Sequence, residues 1–163
     1  MITLANIEKG HCEFIRKLAN NSSYYEFFRS FPPLFIWKND ETVLQIFVGR
    51  AFLVCDEDEI KGLVMISRDD TQNKIVDFGV VIEGEHRASI ASDAMKQLGD
   101  YYFDYKGYNK VTCHILEHRK DLAHILEKFN FKADGVLRDN VFFKGQFHNE
   151  IVYSLLKKDF IRS

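Results

Sequence analysis

The chain has 163 residues, of which 46% are apolar and 28% charged, with a formal net charge of -2. That length fits a single domain over 1–163 whose core needs no metal or disulfide, and the near-neutral charge excludes the broad basic field of a nucleic-acid binder. Cys12, Cys55 and Cys113 form no Cys-x-x-Cys pair, which argues against a metal site and for a reducing compartment.

Residues 2–7 alternate through Ile2, Leu4 and Ile7 as a short strand. Their neighbours hold no signal-peptide run, and no stretch reaches the ~20 apolar residues of a membrane span. A cytoplasmic protein without a membrane partner is expected. Residues 11–30 carry two amphipathic helical stretches, the first on Phe14, Ile15 and Leu18 and the second on Tyr24, Phe27 and Phe28. Pro32-Pro33 then breaks any helix. Strand-type runs follow at 51–55, 60–67 and 74–82, divided by the polar turns at 56–59 and 69–73, so they read as an antiparallel meander. From Ile90 to Tyr105 the apolar period becomes three and four, the stripe of one helix, with Gly107 as its stop. Val111, Cys113 and Ile115 alternate as a strand. Leu122, Ile125, Leu126 and Phe129 form a second amphipathic helix that ends near Asn130. Runs at 131–144 and 147–156, joined through Gly145, close the chain as a hairpin. A strand-helix-strand unit within an otherwise antiparallel order predicts an α/β (α+β) fold, with a mixed sheet flanked by helices.

The junction Val80-Val81-Ile82-Glu83-Gly84-Glu85-His86-Arg87-Ala88-Ser89-Ile90-Ala91 joins a buried strand to a helix. The first turn of a helix presents unpaired N–H groups and a positive dipole end, which suit phosphate oxygens. Small side chains at Ala88, Ser89 and Ala91 permit close approach to the backbone. A plain connection capped by Ser89 accounts for the same residues.

His86-Arg87-Ala88-Ser89-Ile90-Ala91 resembles the acetyl-CoA-binding motif of GNAT superfamily N-acetyltransferases, Gln/Arg-x-x-Gly-x-Gly/Ala. Either His86 or Arg87 takes the basic place, and Ser89 replaces the central Gly. Lys110-Val111-Thr112-Cys113-His114-Ile115 resembles the family's next strand. Leu126-Glu127-Lys128-Phe129-Asn130-Phe131 resembles its Tyr-Glu-Lys-x-Gly-Phe helix end. Asp134-Gly135-Val136-Leu137-Arg138 and Val152-Tyr153-Ser154-Leu155-Leu156 look like the tail of the branch that includes ribosomal-protein N-acetyltransferases. The likeness is carried by order and spacing over about residues 60–160.

The resemblance implies the acyl-CoA N-acyltransferase fold, a mostly antiparallel sheet splayed between the strand ending near Ile82 and the strand at 111–116. It implies acetyl-CoA, or another acyl-CoA, as co-substrate. The backbone of Val80, Val81 and Ile82 would pair with the pantetheine arm. His86, Arg87, Ala88, Ser89, Ile90 and Ala91 would hold the pyrophosphate. Arg119 stands where the family often has an Asn that contacts the cofactor and would pair with the adenosine phosphates; a solvated helix start at His118, Arg119 and Lys120 accounts for it equally. No metal is implied. The reaction would be direct acyl transfer to an amine in a ternary complex. The amine must lose a proton to a base, and the developing oxyanion needs an N–H donor such as that of Val81.

Asp77 on the central strand and His114 on the facing strand are candidate bases. A carboxylate on an exposed strand face, or a surface histidine, explains each equally simply. The family's acid, a Tyr on the second helix, corresponds to Leu126. Tyr153 is the possible substitute, against the plainer reading of a core tyrosine with a bonded hydroxyl. Phe28, Phe31 and Phe35, near Pro32-Pro33, fall where the family builds its acceptor pocket. A small-molecule or peptide amine is the expected acceptor, and a monomer or homodimer the expected assembly. The departures at Ser89, Arg119 and Leu126 leave an alternative: a coenzyme A-binding or protein-interaction module that has lost the chemistry.

Overall fold

A computed structural model describes residues 1–21, 24, 39–84 and 87–161. They fall into two compact units, Met1–Ser67 with Gly79–Ala94, and Arg68–Phe78 with Met95–Ser163. Among the described residues seven strands run in the hydrogen-bonded order β1-β2-β3-β4-β5-β7-β6.

In the first unit, β1 (Ile2–Ala5) pairs antiparallel with β2 (Ala51–Asp56). Helix α1 (Cys12–Ala19) buries Cys12, Ile15, Leu18 and Ala19; of the stripe expected from sequence, Ile15 and Leu18 are buried and Phe14 packs partly buried beside them. Helix α2 (Asp40–Phe47) has no counterpart in the sequence reading. Its signals are local: the Asn39 side chain accepts from the Thr42 N–H at 2.8 Å, and Asp40 and Glu41 occupy the positive first turn. Val43 and Phe47 are buried and Leu44 and Ile46 pack half-buried against the same core, but eight residues are little more than two turns, too short to register as a period. Phe47, Ile15 and Leu18 join Leu53, Leu63 and Val81 in one core. The meander is present as β2, β3 (Glu59–Asp70) and β4 (Ile75–Ile82), with an irregularity in β2 between Val54 and Cys55.

Helix α3 (Arg87–Gly99) is shorter than its apolar stripe. Asp100–Tyr105 widen into a π-helical turn, closed by the Lys106 N–H on the Tyr101 carbonyl at 2.9 Å. Gly107 follows at φ +69°, the left-handed stop expected of it.

In the second unit, β5 (Lys110–Leu116) lies parallel to β4 over three pairs only: Ile75, Val76 and Asp77 against Lys110, Val111 and Thr112. Helix α4 (Lys120–Lys128) ends before Asn130 at φ +63°. The closing hairpin is β6 (Lys132–Phe143) and β7 (Gln146–Leu156). Its two-residue turn, Lys144 and Gly145, has both φ values positive, the form that matches strand twist. Strand β7 pairs antiparallel with β5 along the full length of β5. One side of this sheet is apolar. There Phe78, Leu98, Phe103, Val111, Phe131 and Leu155 line one small apolar hollow, with Phe78 and Phe131 edge-to-face at 6.1 Å. The sheet is therefore mixed and mostly antiparallel, as expected, with one short parallel ladder.

Candidate active site

Residues directly opposed across a ladder share a face. Asp77 opposes Thr112, Thr112 opposes Ser154, and Leu116 opposes Glu150. Asp77, Thr112, His114, Glu150 and Ser154 therefore stand on one face of the second unit's sheet. Among the described residues the buried polar or charged ones are Thr112, Glu150 and Ser154, and all three belong to this face. Burying polar groups costs free energy unless each is hydrogen-bonded, and here each is. The Thr112 hydroxyl donates to the Asp77 carboxylate. Ser154 donates to Asp134 at 2.8 Å, and Lys110 pairs with the other Asp134 oxygen at 2.6 Å. Those two donors, Lys110 foremost, hold the Asp134 carboxyl below its ordinary range. Glu150 accepts from the Asn140 amide at 2.7 Å and meets His114 Nδ1 at 3.4 Å.

Asp77 and His114, the two expected bases, are thus brought together: one strand apart, on the same face. Burial raises the Asp77 carboxyl above its usual value, against the opposing influence of His114, Arg68 and Lys110. A carboxyl whose folded value is raised binds protons more tightly when folded. Its charged form destabilises the fold once pH exceeds the folded value, and that cost is absent below the unfolded value near ~4. Asp77→Asn, which keeps an acceptor for Thr112, is therefore expected to raise the urea midpoint at pH 7 and leave it unchanged at pH 3. A lower midpoint at pH 7 would contradict this.

Tyr153 stands elsewhere. It opposes Cys113 on the apolar side of the sheet, is 5% exposed, and its hydroxyl donates to Glu127 of α4 at 3.3 Å. Burial, together with the Glu127 carboxylate, raises its phenol. This is the core tyrosine with a bonded hydroxyl, and it does not join Asp77 and His114. Leu126 is buried in α4. Burial lifts the Cys113 thiol to about 12, so it carries no thiolate for a covalent acyl intermediate at neutral pH.

In the first unit, Val81 and Ile82 are buried and Val80 partly so. Gly84 follows at φ +82°, and the Arg87 Nε donates to its carbonyl at 2.7 Å, tying the loop to the first turn of α3. Arg87, Ala88 and Ser89 are exposed, Ile90 is buried and Ala91 is half-buried. His86 lies outside the described residues, as do Phe28, Phe31 and Phe35. Arg119, expected on the adenosine phosphates, forks onto Asp121, Nε at 3.0 Å and Nη2 at 2.9 Å. That pairing engages two of its donors. Among the described residues no group of three or more His, Cys, Asp or Glu side chains is placed to hold a metal.

No family model matches the chain. Among curated proteins it is 25% identical over 111 residues to the uncharacterized N-acetyltransferase p20 of Bacillus licheniformis, a match covering 68% of this chain and 62% of that protein. It is 23% identical over 164 residues to the spermidine N(1)-acetyltransferase of Escherichia coli, covering 98% of this chain and 88% of that one. Among solved structures it superposes on the spermidine N-acetyltransferase of Vibrio cholerae in complex with CoA and spermine. The TM-score is 0.84 at 21% identity, over 97% of this chain and 96% of that one. The chain has the fold of the GNAT acetyltransferases, and its sequence relatives are named N-acetyltransferases. The Vibrio cholerae enzyme is also recorded as a dodecamer (TM-score 0.79, 22% identity, 96% and 94% covered), a larger assembly than the monomer or homodimer expected from sequence.

Two polar residues of the site escaped the sequence reading. Glu150 carries a weak signal, a carboxylate in phase with Val152 and Ser154 on an apolar strand. Asn140 carries none, because a local break in β6 is what aims it.

Proposed function

We propose that this chain transfers the acyl group of an acyl-coenzyme A, most simply acetyl-CoA, to a primary amine of a small polyamine-like cation. The names of the relatives support the class of reaction. The observation that carries the reading is the polar face of β4, β5 and β7, where the half-buried Asp77, the solvent-reaching His114 and the buried Glu150 offer proton acceptors and negative charge. An ammonium must lose its proton before nitrogen attacks the thioester carbon. A C–N bond then forms, the C–S bond breaks, and the nitrogen sheds its second proton to solvent as the leaving thiolate takes one up from solvent. The edge of β4 past Asp77, at residues 80–82, supports pairing with the amides of the pantetheine arm. The first turn of α3, residues 87–91, supports binding of the pyrophosphate.

A second reading rests on Leu126, which replaces the family's tyrosine, and on the engaged hydroxyl of Tyr153, its expected substitute: a coenzyme A-binding module without turnover. One experiment separates the two. Acetyl-CoA is titrated by calorimetry, and thiol release is then followed with spermidine, other diamines and peptides with a free N-terminus. Binding with thiol release on the polyamines is the expected result. Binding without release on the whole panel supports the second reading. No binding at millimolar acetyl-CoA refutes both.

A further inference from the structure

Glu150 is 2% exposed, a carboxylate in the interior of a strand. Such a residue needs partners, and the fold supplies one by an unusual route. In the β6–β7 ladder Leu137 opposes Glu150 and Val141 opposes His148, so three residues of β6 (138–140) face the single Asn149. Asp139 takes φ +49° and its N–H donates to the Asn149 Oδ1 at 3.0 Å. This bulge turns Asn140 onto Glu150, with its amide 2.7 Å from Oε2. The same Oε2 lies 3.4 Å from His114 Nδ1. Bulges gather beside functional sites because they re-aim a side chain. The His114 side chain is 35% exposed, so while one ring nitrogen meets a fixed carboxylate the imidazole keeps access to solvent.

We infer that Glu150, clamped by Asn140, is a positioning residue that holds the His114 ring by Nδ1–H, leaving the Nε2 lone pair to take the proton of the acceptor amine. The inference rests on the proposed amine acylation for the identity of that proton. The ring nitrogen that bonds a carboxylate carries the hydrogen, and the other becomes the base. As the imidazole takes the amine's proton it becomes a cation, which the buried carboxylate stabilises. The other charged groups that bear on this face are Asp77 from β4, Arg68 and Asp70 from β3, Lys110 from β5 and Asp134 from β6. Asp77 and a protonated His114 favour each other's charged forms; the other carboxylates act on the imidazole in the same sense and the cations in the opposite one.

The test uses the whole chain as wild type, Glu150→Gln, Glu150→Asp and Asn140→Ala, each checked for folding by its thermal melt. Nitrogen-15 NMR reads which His114 nitrogen is protonated and the pH at which the ring titrates. In the wild type Nδ1 is expected to carry the proton. In Glu150→Gln the titration midpoint is expected to fall by about one pH unit or more, as a neighbouring charge is lost. Asn140→Ala should shift it less, in the same direction. Should Glu150→Gln fail to fold, Asn140→Ala and Glu150→Asp carry the test. Thiol release with acetyl-CoA and spermidine should lose about 10–100-fold in kcat in Glu150→Gln, the usual cost of an outer partner, with KM for acetyl-CoA unchanged and Glu150→Asp partly active. An Nε2–H ring in the wild type, or an unchanged midpoint in the folded variants, overturns the inference. So does a loss of kcat without any change at His114. The NMR arm stands without turnover, so a wild type that acylates no amine would refute the proposed reaction and leave the dyad measurable.

Discussion

Gly62→Ala is expected to destabilise the protein by about 1–3 kcal/mol and to weaken acetyl-CoA binding about tenfold. Gly62 lies inside β3, with no turn to require it. Its role is close approach. A Cβ at this position would run into the Val81 carbonyl oxygen and lie 2.8 Å from Ile82 Cδ1 and 3.0 Å from Ile82 Cα. The first and last of these atoms are backbone, so no rotamer change relieves the overlap and β4 itself must move. The stretch that moves, residues 80–82, is the one proposed to pair with the pantetheine amides. Losing one such hydrogen bond costs about 1 kcal/mol, near a factor of ten in affinity. Gly135→Ala is the control: it also replaces a strand glycine, but its Cβ would meet nothing within 4 Å. Urea denaturation and calorimetry with acetyl-CoA check both. Equal midpoints and equal affinities for the two variants would show that the close approach at Gly62 constrains nothing.

The contrast between those glycines shows where sequence stops informing. Both sit in strand-type runs, and nothing local separates them; the difference is the strand that passes beside one of them. Features that depend on neighbours within a few residues were legible. The meander, the left-handed Asn130, the Gly145 turn and the Gly107 stop follow from alternation and turn chemistry, and the structure keeps them all. Helix α2 was equally local, its cap and acidic first turn being in plain view at 39–41, but its eight residues make little more than two turns, too few for a periodic signal. The π-helical turn at 100–105 failed for another reason. A widened turn keeps the three- and four-residue apolar rhythm closely enough that Tyr102 and Phe103 remain in phase with the preceding stripe.

The site divides the same way. Alternation places Asp77 opposite in sense to Val76 and Phe78, and the structure buries those two while keeping Asp77 with the polar face. Tyr153 needed the β5–β7 register before its face was known, since a one-residue slip would have set it beside His114. Glu150 and Asn140 needed that register and a bulge besides. The family resemblance directed attention to the loop at 86–91. The best-built polar constellation among the described residues lies instead on strands whose motifs say little about chemistry.

His114→Gln should have the largest kinetic effect: kcat for spermidine acylation down about 10²–10⁴-fold, the range for loss of a general base, with acetyl-CoA affinity unchanged. Glutamine is near histidine in size and keeps an amide to meet Glu150, so the buried carboxylate is not stranded and the fold should hold. It offers no lone pair basic enough to deprotonate an ammonium. The residual rate should therefore rise with pH, as bulk solvent supplies free amine directly, while the wild-type rate levels off once His114 is neutral. Asp77 stands one strand away on the same face and is the competing base. If it carries the proton instead, Asp77→Asn will show the steep loss and His114→Gln will not. Pre-steady-state thiol release at pH 6, 7.5 and 9 distinguishes the two, because the chemical step is then read apart from product release. Parallel pH profiles for His114→Gln and wild type would remove His114 from the proton's path and with it the reason for the Glu150 clamp.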